Sequence, residues 1–305
     1  MKLWLSLAKN FFVSSGCYTR VMPSRATIAV AAITAAVVLA SGVTAYFNRY
    51  ALSDWYYLRT YTPSAEVATL ADQSTMTTTG RDLFYRANPD IVTTRAAMVS
   101  HCHIASNQVA ELGCYLSSDH IYLLQISNRA LKDEMATTAG YEMLHSAYQR
   151  LSSGQRRQLD AELEQVAAHL TDPHIVSQLQ IYAQTEPGAR DDELYSALGT
   201  EYPDLTPALE ANYQRYFTNR RQLVAYYQQF NQTFDNLHAQ ISQLDSQIES
   251  QKTIMHRYLE IGDINLYNGL VPSINSQIAT YNADVELYNQ YGRDILGTES
   301  VTSSQ

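Results

Sequence analysis

The segment with the clearest chemical potential contains Tyr141, Glu142 and His145, in the order Tyr-Glu-x-x-His. In the zinc motif H-E-x-x-H, two histidines one helical turn apart bind the metal, and the glutamate between them activates a metal-bound water. Here Tyr141 occupies the position of the first histidine. On a helix, Glu142 and His145 could equally be a solvated or mutually hydrogen-bonded pair. The segment therefore indicates zinc chemistry only if other residues complete the site.

A second acidic segment lies about fifty residues downstream, where Glu193 is followed four residues later by Ala197. This is the spacing at which a third zinc ligand occurs in Glu-type zincins. A predicted strand hairpin also precedes the helix that carries Glu142. Together these features favour a metallopeptidase-type site over an isolated surface pair.

With these segments, the chain resembles the gluzincin superfamily of zinc metallopeptidases, and more closely a group of membrane-anchored bacterial gluzincin-like proteins. The resemblance covers roughly residues 82–230, and the helical hairpin that follows is also familiar in such proteins. The matching stretches are residues 111–115, 121–123, 141–148, 192–201 and 209–220.

The resemblance implies roles for four residues. His145 corresponds to the second zinc ligand, Glu142 to the general base and Glu193 to the third ligand, while Tyr141 stands at the first-ligand position. A phenol with a pKa near 10 is a poor replacement for imidazole, because zinc binding would require its deprotonation.

Three functional hypotheses follow. The favoured one is a pseudo-peptidase that keeps the fold and the cleft but has lost the zinc, or binds it only weakly, and has no activity. The second is an active zinc peptidase with altered coordination, acting on envelope proteins or wall peptides, in which Tyr141 or another histidine completes the site. The third is a non-enzymatic envelope scaffold or binding protein that uses its helical hairpin. The candidate histidines are His101, His103, His120, His169 and His174.

The hydrophobic patterning predicts an α+β fold that is mostly α, with a small mixed sheet. The resemblance implies that its helices are of zincin type. Residues 82–85 are strand-like, and Ser117-Ser118-Asp119 predicts the turn of the hairpin. Gly199 is expected to cap a helix C-terminus. The predicted hairpin pairs Val109–Leu116 with Ile121–Ile126, and the predicted helices cover residues 131–151, 154–170, 173–185 and 191–198.

From Leu223 to Tyr258 the apolar residues follow one alternating three- and four-residue repeat that only Gln251 interrupts, and a single long helix with a coiled-coil seam is predicted from Pro207 to Tyr258. Before Phe230, a long helix packed on a globular body is the alternative. Gly262-Asp263 and Pro272 are expected to break the run before the repeat resumes. The pattern predicts an antiparallel helical hairpin that either pairs within the chain or self-associates.

The 22 uncharged residues from Ala26 to Phe47 are long enough to span the roughly 30 Å hydrocarbon layer of a membrane. Basic residues without acids precede them, which places the N-terminus in the cytoplasm and the body outside, in the cell envelope. A cleaved signal peptide ending near Ala45 is the alternative, and it exports the same body. The predicted divisions are a cytoplasmic segment (1–25), a transmembrane helix (26–47), a connector (48–80), a gluzincin-like domain (81–206), a helical hairpin (207–296) and a flexible tail (297–305).

The cysteines fit this topology, because Cys102 and Cys114 lie in the exported part, where disulfides persist. A bond between them would stabilise the fold by roughly 2–3 kcal/mol; two buried free thiols are the alternative. A separate metal site at His101-Cys102-His103 is disfavoured, because on a strand Cys102 would point away from both histidines. The net charge of −9 argues against a nucleic-acid partner.

Overall fold

A computed structural model describes residues 25–47, 49–103, 111–185 and 188–296. The chain divides into two compact units between Leu52 and Ser53. Most of the predicted cytoplasmic segment, the tail 297–305 and the start of the predicted hairpin at Val109 lie outside the described residues.

Helix α1 (Arg25–Phe47) covers the predicted membrane span. Among the residues that the structure describes, no helix is found that is both long enough and apolar enough to cross a membrane. The anchor and the compartment stay predictions from the sequence.

From α2 onward the chain is mostly helical, with one small sheet. The helices are α2 (Arg49–Thr60), α3 (Ala65–Gln73), α4 (Thr78–Arg86), α5 (Arg95–Cys102), α6 (Glu134–Gln149), α7 (Ser153–Ala167), α8 (Pro173–Thr185), α9 (Arg190–Thr200), α10 (Pro207–Tyr213), α11 (Arg220–Glu260) and α12 (Ile264–Leu296). The strands are β1 (Asp90–Val92), β2 (Gly113–Leu116) and β3 (His120–Leu124). This confirms the prediction of a mostly α fold with a small sheet.

The sheet has the order β1-β3-β2 and is mixed. β1 runs parallel to β3, with Asp90 opposite Tyr122, and β2 runs antiparallel to β3, with Gly113 opposite Leu123. Asp119 adopts a positive φ of 64° in the turn between β2 and β3, a conformation that aspartate tolerates better than most residues. The predicted hairpin is therefore present, although its strands are shorter than expected.

Hydroxyl side chains cap the N-termini of several helices and satisfy backbone donors that the helix itself leaves open. Ser152 forms a capping box with Gln155 at the start of α7, and Thr206 caps α10 directly before Pro207 at its first turn. The other side-chain caps are Ser64, Thr77 and Thr94.

Helix α6 is buried on all sides, from Glu134 to Tyr148. It packs against α3, α4, α9, α11 and β2, so no face of it meets solvent. One hydrophobic core includes Val67 and Leu70 of α3 as well as Leu223 of α11. The core therefore crosses the predicted boundaries at residues 80/81 and 206/207, because α6 needs neighbours from both sides of them.

The strand expected at residues 82–85 is wrong, because this segment belongs to α4. Thr77 caps its N-terminus, and its buried residues are Gly80, Leu83 and Phe84. Their spacing of three and four residues is that of a helix face.

The single helix expected from Pro207 to Tyr258 is also wrong, because the chain leaves the helical path between α10 and α11. Phe217 forms a β-bridge with Met76, and the Thr77 amide donates to the Tyr216 carbonyl at 2.8 Å. Backbone groups of Tyr216 and Phe217 therefore pair with the chain before α4 and do not continue the helix. The antiparallel arrangement of α11 and α12 with a turn at Gly262 agrees with the prediction.

Pro272 was expected to break the helical run, but it lies inside α12, which continues through it. A proline there removes one backbone hydrogen bond. The adjacent apolar residues Leu270 and Ile274 pack with Ile248 and Met255 of α11. Apolar packing between α11 and α12 thus stabilises this part of α12 and offsets the lost hydrogen bond.

The predicted disulfide between Cys102 and Cys114 is present, with the Cα atoms 6.0 Å apart. It joins the C-terminus of α5 to β2. The expectation that His101 and His103 share a strand face is wrong, since His101 lies in α5 and His103 ends it with a positive φ of 56°.

Gly199 lies within α9 and is not the C-cap that was predicted. A Cβ atom at this position would lie 2.6 Å from the ring of Tyr213 and would also contact Leu144 of α6. Because that distance is too short, α6 and α9 can approach only if residue 199 has no side chain.

We expect Gly199→Ala to lower the free energy of unfolding by about 1–3 kcal/mol, through overpacking between α6 and α9. Gly269→Ala in α12 is the matched control, because nothing lies within 4 Å of its added Cβ. That variant should gain up to about 1 kcal/mol from helix propensity. Urea unfolding followed by circular dichroism measures both changes, and equal effects would contradict the packing argument.

Candidate functional site

Two buried helices bring the predicted site residues together. α6 carries Tyr141, Glu142 and His145, and α9 carries Glu193 in its first turn. All four residues are at most 8% exposed. Tyr141 and His145 are one helical turn apart, so both reach the same neighbour on α9.

Tyr141 and His145 both approach the carboxylate of Glu193, so the three residues that the resemblance assigned to ligand positions lie together. The Tyr141 hydroxyl donates to Glu193 Oε2 at 2.7 Å, and His145 Nε2 lies 3.7 Å from the same oxygen. Gln178 of α8 donates to the Tyr141 hydroxyl at 3.4 Å. The geometry thus groups the residues that the sequence resemblance selected.

Asp192 orients the imidazole of His145, a role that the sequence did not indicate. His145 Nδ1 lies 2.8 Å from Asp192 Oδ1, and Gln149 donates to the other carboxylate oxygen at 2.7 Å. This contact leaves Nε2 facing Glu193. Burial by itself would lower the pKa of His145, but Glu193 and Asp192 together raise it to about 10, so the ring is an imidazolium at neutral pH.

Glu142 faces the edge of β2. A Cβ atom at Gly113 would lie 2.8 Å from Glu142 Oε1, so the glycine provides the space for this carboxyl group. Burial raises the pKa of Glu142 to about 8, although the charge of His145 acts in the opposite direction. A protonated carboxyl group cannot act as a general base until it loses this proton.

A cavity of about 570 Å³ adjoins Tyr141 and Glu142. Its walls come from α6, α8, α11, the segment leading into β2 and the C-terminus of α12. Glu134 and Glu201 also line it, and the sequence reasoning missed both. The sequence could have indicated Glu134, because residues 134, 138, 141 and 142 have the spacing of one helix face, so Glu134 lies on the same face as Tyr141. The other lining residues include Leu112, Thr137, Thr138, His174, Ser177, Ile181, Tyr182, Tyr227, Phe230, Asn231 and Ile295.

The donor set does not fit zinc as it stands. Burial, followed by the charge of Glu193, raises the pKa of Tyr141 well above its ordinary value, so the phenol keeps its proton and donates a hydrogen bond to Glu193. His145 is protonated as well, and zinc requires a neutral imidazole. In the part of the chain that the structure describes, no group of three or more His, Cys, Asp or Glu residues is arranged to hold a metal.

The other candidate histidines have different neighbours. His101 stacks on Tyr122 with ring centroids 4.3 Å apart, and His120 lies 3.1 Å from Asp90. His174 lines the cavity, but its Nε2 lies 3.1 Å from Asp235. His103 and His169 are exposed. None of these arrangements points a histidine at Glu193.

Comparisons of the chain with protein-family models, with curated proteins and with solved structures found no match. The gluzincin resemblance and the zincin type of the fold stay predictions.

Glu134 should make the fold less stable as the pH rises. Burial raises its pKa from 4.5 to about 8, so the folded chain holds a proton that the unfolded chain releases above pH 4.5. The stabilisation is complete below pH 4.5 and is lost as the pH rises through 8. We expect Glu134→Gln to flatten the stability profile between pH 5 and pH 9, with a gain on the order of 3 kcal/mol at the upper end.

Urea unfolding at several pH values measures this profile. Glu260→Gln is the control, because Glu260 is exposed at the end of α11 and makes the same chemical change without burial. A Glu134→Gln profile that parallels that of the parent chain would contradict the prediction.

Proposed function

We propose that this chain is a membrane-anchored, extracytoplasmic protein whose body is a metallopeptidase-derived domain with a degenerate catalytic site. The observation that carries the proposal is the hydrogen bond of 2.7 Å from the Tyr141 hydroxyl to Glu193. It joins the position of the first ligand to that of the third. The carboxylate that would bind zinc in an active relative instead accepts a hydrogen bond from a phenol.

Charge balance supports the same conclusion. Glu193 lies near the imidazolium of His145 and is hydrogen-bonded by Tyr141. Its negative charge is therefore compensated in part without a metal, because His145 shares its charge between Glu193 and Asp192. A zinc ion would have to displace the proton of His145 and disrupt the bond from Tyr141, and both steps oppose binding.

The exported location is supported by the disulfide between Cys102 and Cys114, because disulfides persist outside the reducing cytoplasm. The membrane anchor rests on the sequence from Ala26 to Phe47. Under this proposal the domain holds a ligand in the cavity beside Tyr141 and does not cleave it.

Tyr141→His should restore zinc binding, because an imidazole would then stand at the first-ligand position without the phenol proton. We expect the parent chain to retain no zinc after purification in the presence of the metal, and the variant to retain about one equivalent and to gain peptidase activity. Elemental analysis and hydrolysis of an unstructured protein substrate measure these results. His145→Gln added to Tyr141→His is the control and should lose the zinc again.

Stoichiometric zinc in the parent chain, together with hydrolysis that depends on Glu142, would instead establish an active peptidase with altered coordination. A Tyr141→His variant that folds but binds no zinc would also count against a metallopeptidase origin.

A second candidate function is favoured by the tip of the helical hairpin, where apolar side chains are exposed. Ile261 is 68% exposed, Ile264 51% and Leu259 46%. A cluster of this kind at the end of a long hairpin is typical of an interaction surface. We propose that the tip mediates self-association, as a scaffold would require.

Replacing Ile261 and Ile264 by Asp should shift the chain toward the monomer, because charged residues at the tip oppose apolar burial. Sedimentation velocity over a range of concentrations measures the shift. The control carries Asp at Gln243 and Ser246, which are exposed on α11 away from the tip. A parent chain that stays monomeric at all concentrations would exclude this function.

A further inference from the structure

The cavity beside Tyr141 contains buried oxygen atoms that lack a hydrogen-bond partner. Glu134 and Glu201 are each only 6% exposed, and Tyr227 is also 6% exposed. Glu134 Oε2, Glu201 Oε2 and the Tyr227 hydroxyl make no hydrogen bond within the described part of the chain. All three residues line the same cavity. Leaving buried polar atoms unpaired is costly, so such a group indicates a ligand.

The two carboxyl groups interact with each other and with the phenol. Burial raises the pKa of Glu201 well above its ordinary value, and Glu134 and Asp172 add to the shift. The pKa of Tyr227 is raised by burial and then by Glu201, Asp172 and Glu134. The three groups thus line one cavity and influence one another's ionisation.

The charges around this region are acidic or neutral. α6 contributes Glu134, Tyr141 and Glu142, α8 contributes His174 and Tyr182, α11 contributes Tyr227, and the segment before β2 contributes Glu111. Among the described residues that line the cavity there is no Lys or Arg. His174, the one imidazole among them, lies beside Asp235. The cavity thus offers oxygen acceptors to a cation, and its described lining residues include no Lys or Arg to neutralise them.

We propose that this cavity binds a primary ammonium group carried on an aliphatic chain, as in a lysine side chain or a simple alkylamine. An ammonium has three N–H donors, which matches the three unpaired oxygens of Glu134, Glu201 and Tyr227. The aliphatic part would lie against the apolar wall formed by Ile181, Phe230 and Ile295.

Size and composition favour this ligand over a metal ion. The volume of about 570 Å³ falls in the range of small-molecule sites, which combine an apolar lining with a few polar groups. Within the described residues, no His, Cys, Asp or Glu group is arranged to hold a metal. The inference rests on the proposed function for the identity of the ligand as part of a peptide, but the ammonium site itself requires neither zinc nor catalysis.

Binding should release protons. At pH 7 the empty cavity holds Glu134 in its protonated form, since its pKa is about 8. A bound ammonium favours the carboxylate, and the proton passes to the buffer. The cavity then contains a cation paired with an anion, which is the stable form of a buried charge.

Titration calorimetry on the full-length chain in detergent at pH 7 tests the proposal. The probes are Nα-acetyl-lysine N-methylamide and n-pentylamine, and their neutral counterparts are Nα-acetyl-norleucine N-methylamide and n-pentanol. We expect at least one amine to bind tenfold or more tightly than its counterpart. We also expect its apparent binding enthalpy to differ between phosphate and Tris buffers, because a proton is released. A preference for the first amine identifies a peptide lysine, and equal binding of the two amines identifies a general alkylamine site.

Glu201→Gln and Glu134→Gln should each weaken amine binding tenfold or more, while Glu260→Gln on the surface should not change it. Circular dichroism checks that each variant folds, which is expected because glutamine has nearly the size and shape of the protonated carboxyl group that it replaces.

Equal binding of amines and neutral counterparts, binding by none of the probes, or full amine affinity in folded Glu201→Gln would each overturn the proposal. Amine binding by a parent chain that also contains zinc would support the ammonium site and reject only the degenerate peptidase.

Discussion

The complete burial of α6 is the constraint on which the rest of the structure depends. A helix that is apolar on every side meets no difficulty in a protein core, but α6 carries Glu134, Tyr141, Glu142 and His145 into it. Each of these polar groups needs a partner, because an unpaired buried group costs free energy. The surrounding elements supply partners for some of them, and the organisation of the site follows from which groups are satisfied.

The satisfied groups lie toward α9. His145 is held between Asp192 and Glu193, and Tyr141 donates to Glu193. One imidazolium faces two carboxylates, and the phenol provides a further donor, so both carboxylates have hydrogen-bond or ion-pair partners although the group keeps one net negative charge. In a low-dielectric interior such a network is rigid. A side chain that replaces one member changes the protonation of the others, which is why Tyr141 decides the chemistry.

The unsatisfied groups lie toward α8 and α11. Glu134, Glu201 and Tyr227 keep oxygen atoms without partners among the described residues, and the cavity gives them access to a small ligand. α6 therefore contributes Tyr141 and His145 to a closed polar network and Glu134 to an open one that it shares with Glu201 and Tyr227. Under the function proposed above, such a domain would hold a charged group beside a degenerate catalytic site.

Local patterns predicted much of the framework. The spacing of apolar residues indicated α6, α7, α8 and α9, and the turn residues 117–119 indicated the hairpin of β2 and β3. The predictions failed where long-range contacts override local preference. Residues 82–85 were expected to form a strand but fold as part of α4, because Gly80, Leu83 and Phe84 pack on one side. Phe217 pairs with Met76 and interrupts a helix that the repeat alone would continue.

The site divides in the same way. The sequence by itself determined the chemical types available at Tyr141, Glu142, His145 and Glu193, and with them the absence of a first histidine, because residue identity and helical spacing are local properties. Only the tertiary structure decided that Tyr141 donates to Glu193, that Asp192 orients His145, and that Glu134 and Glu201 share a cavity with Tyr227. Those contacts join residues from different helices, and protonation in the core depends on burial and on neighbouring charge, which no local pattern contains.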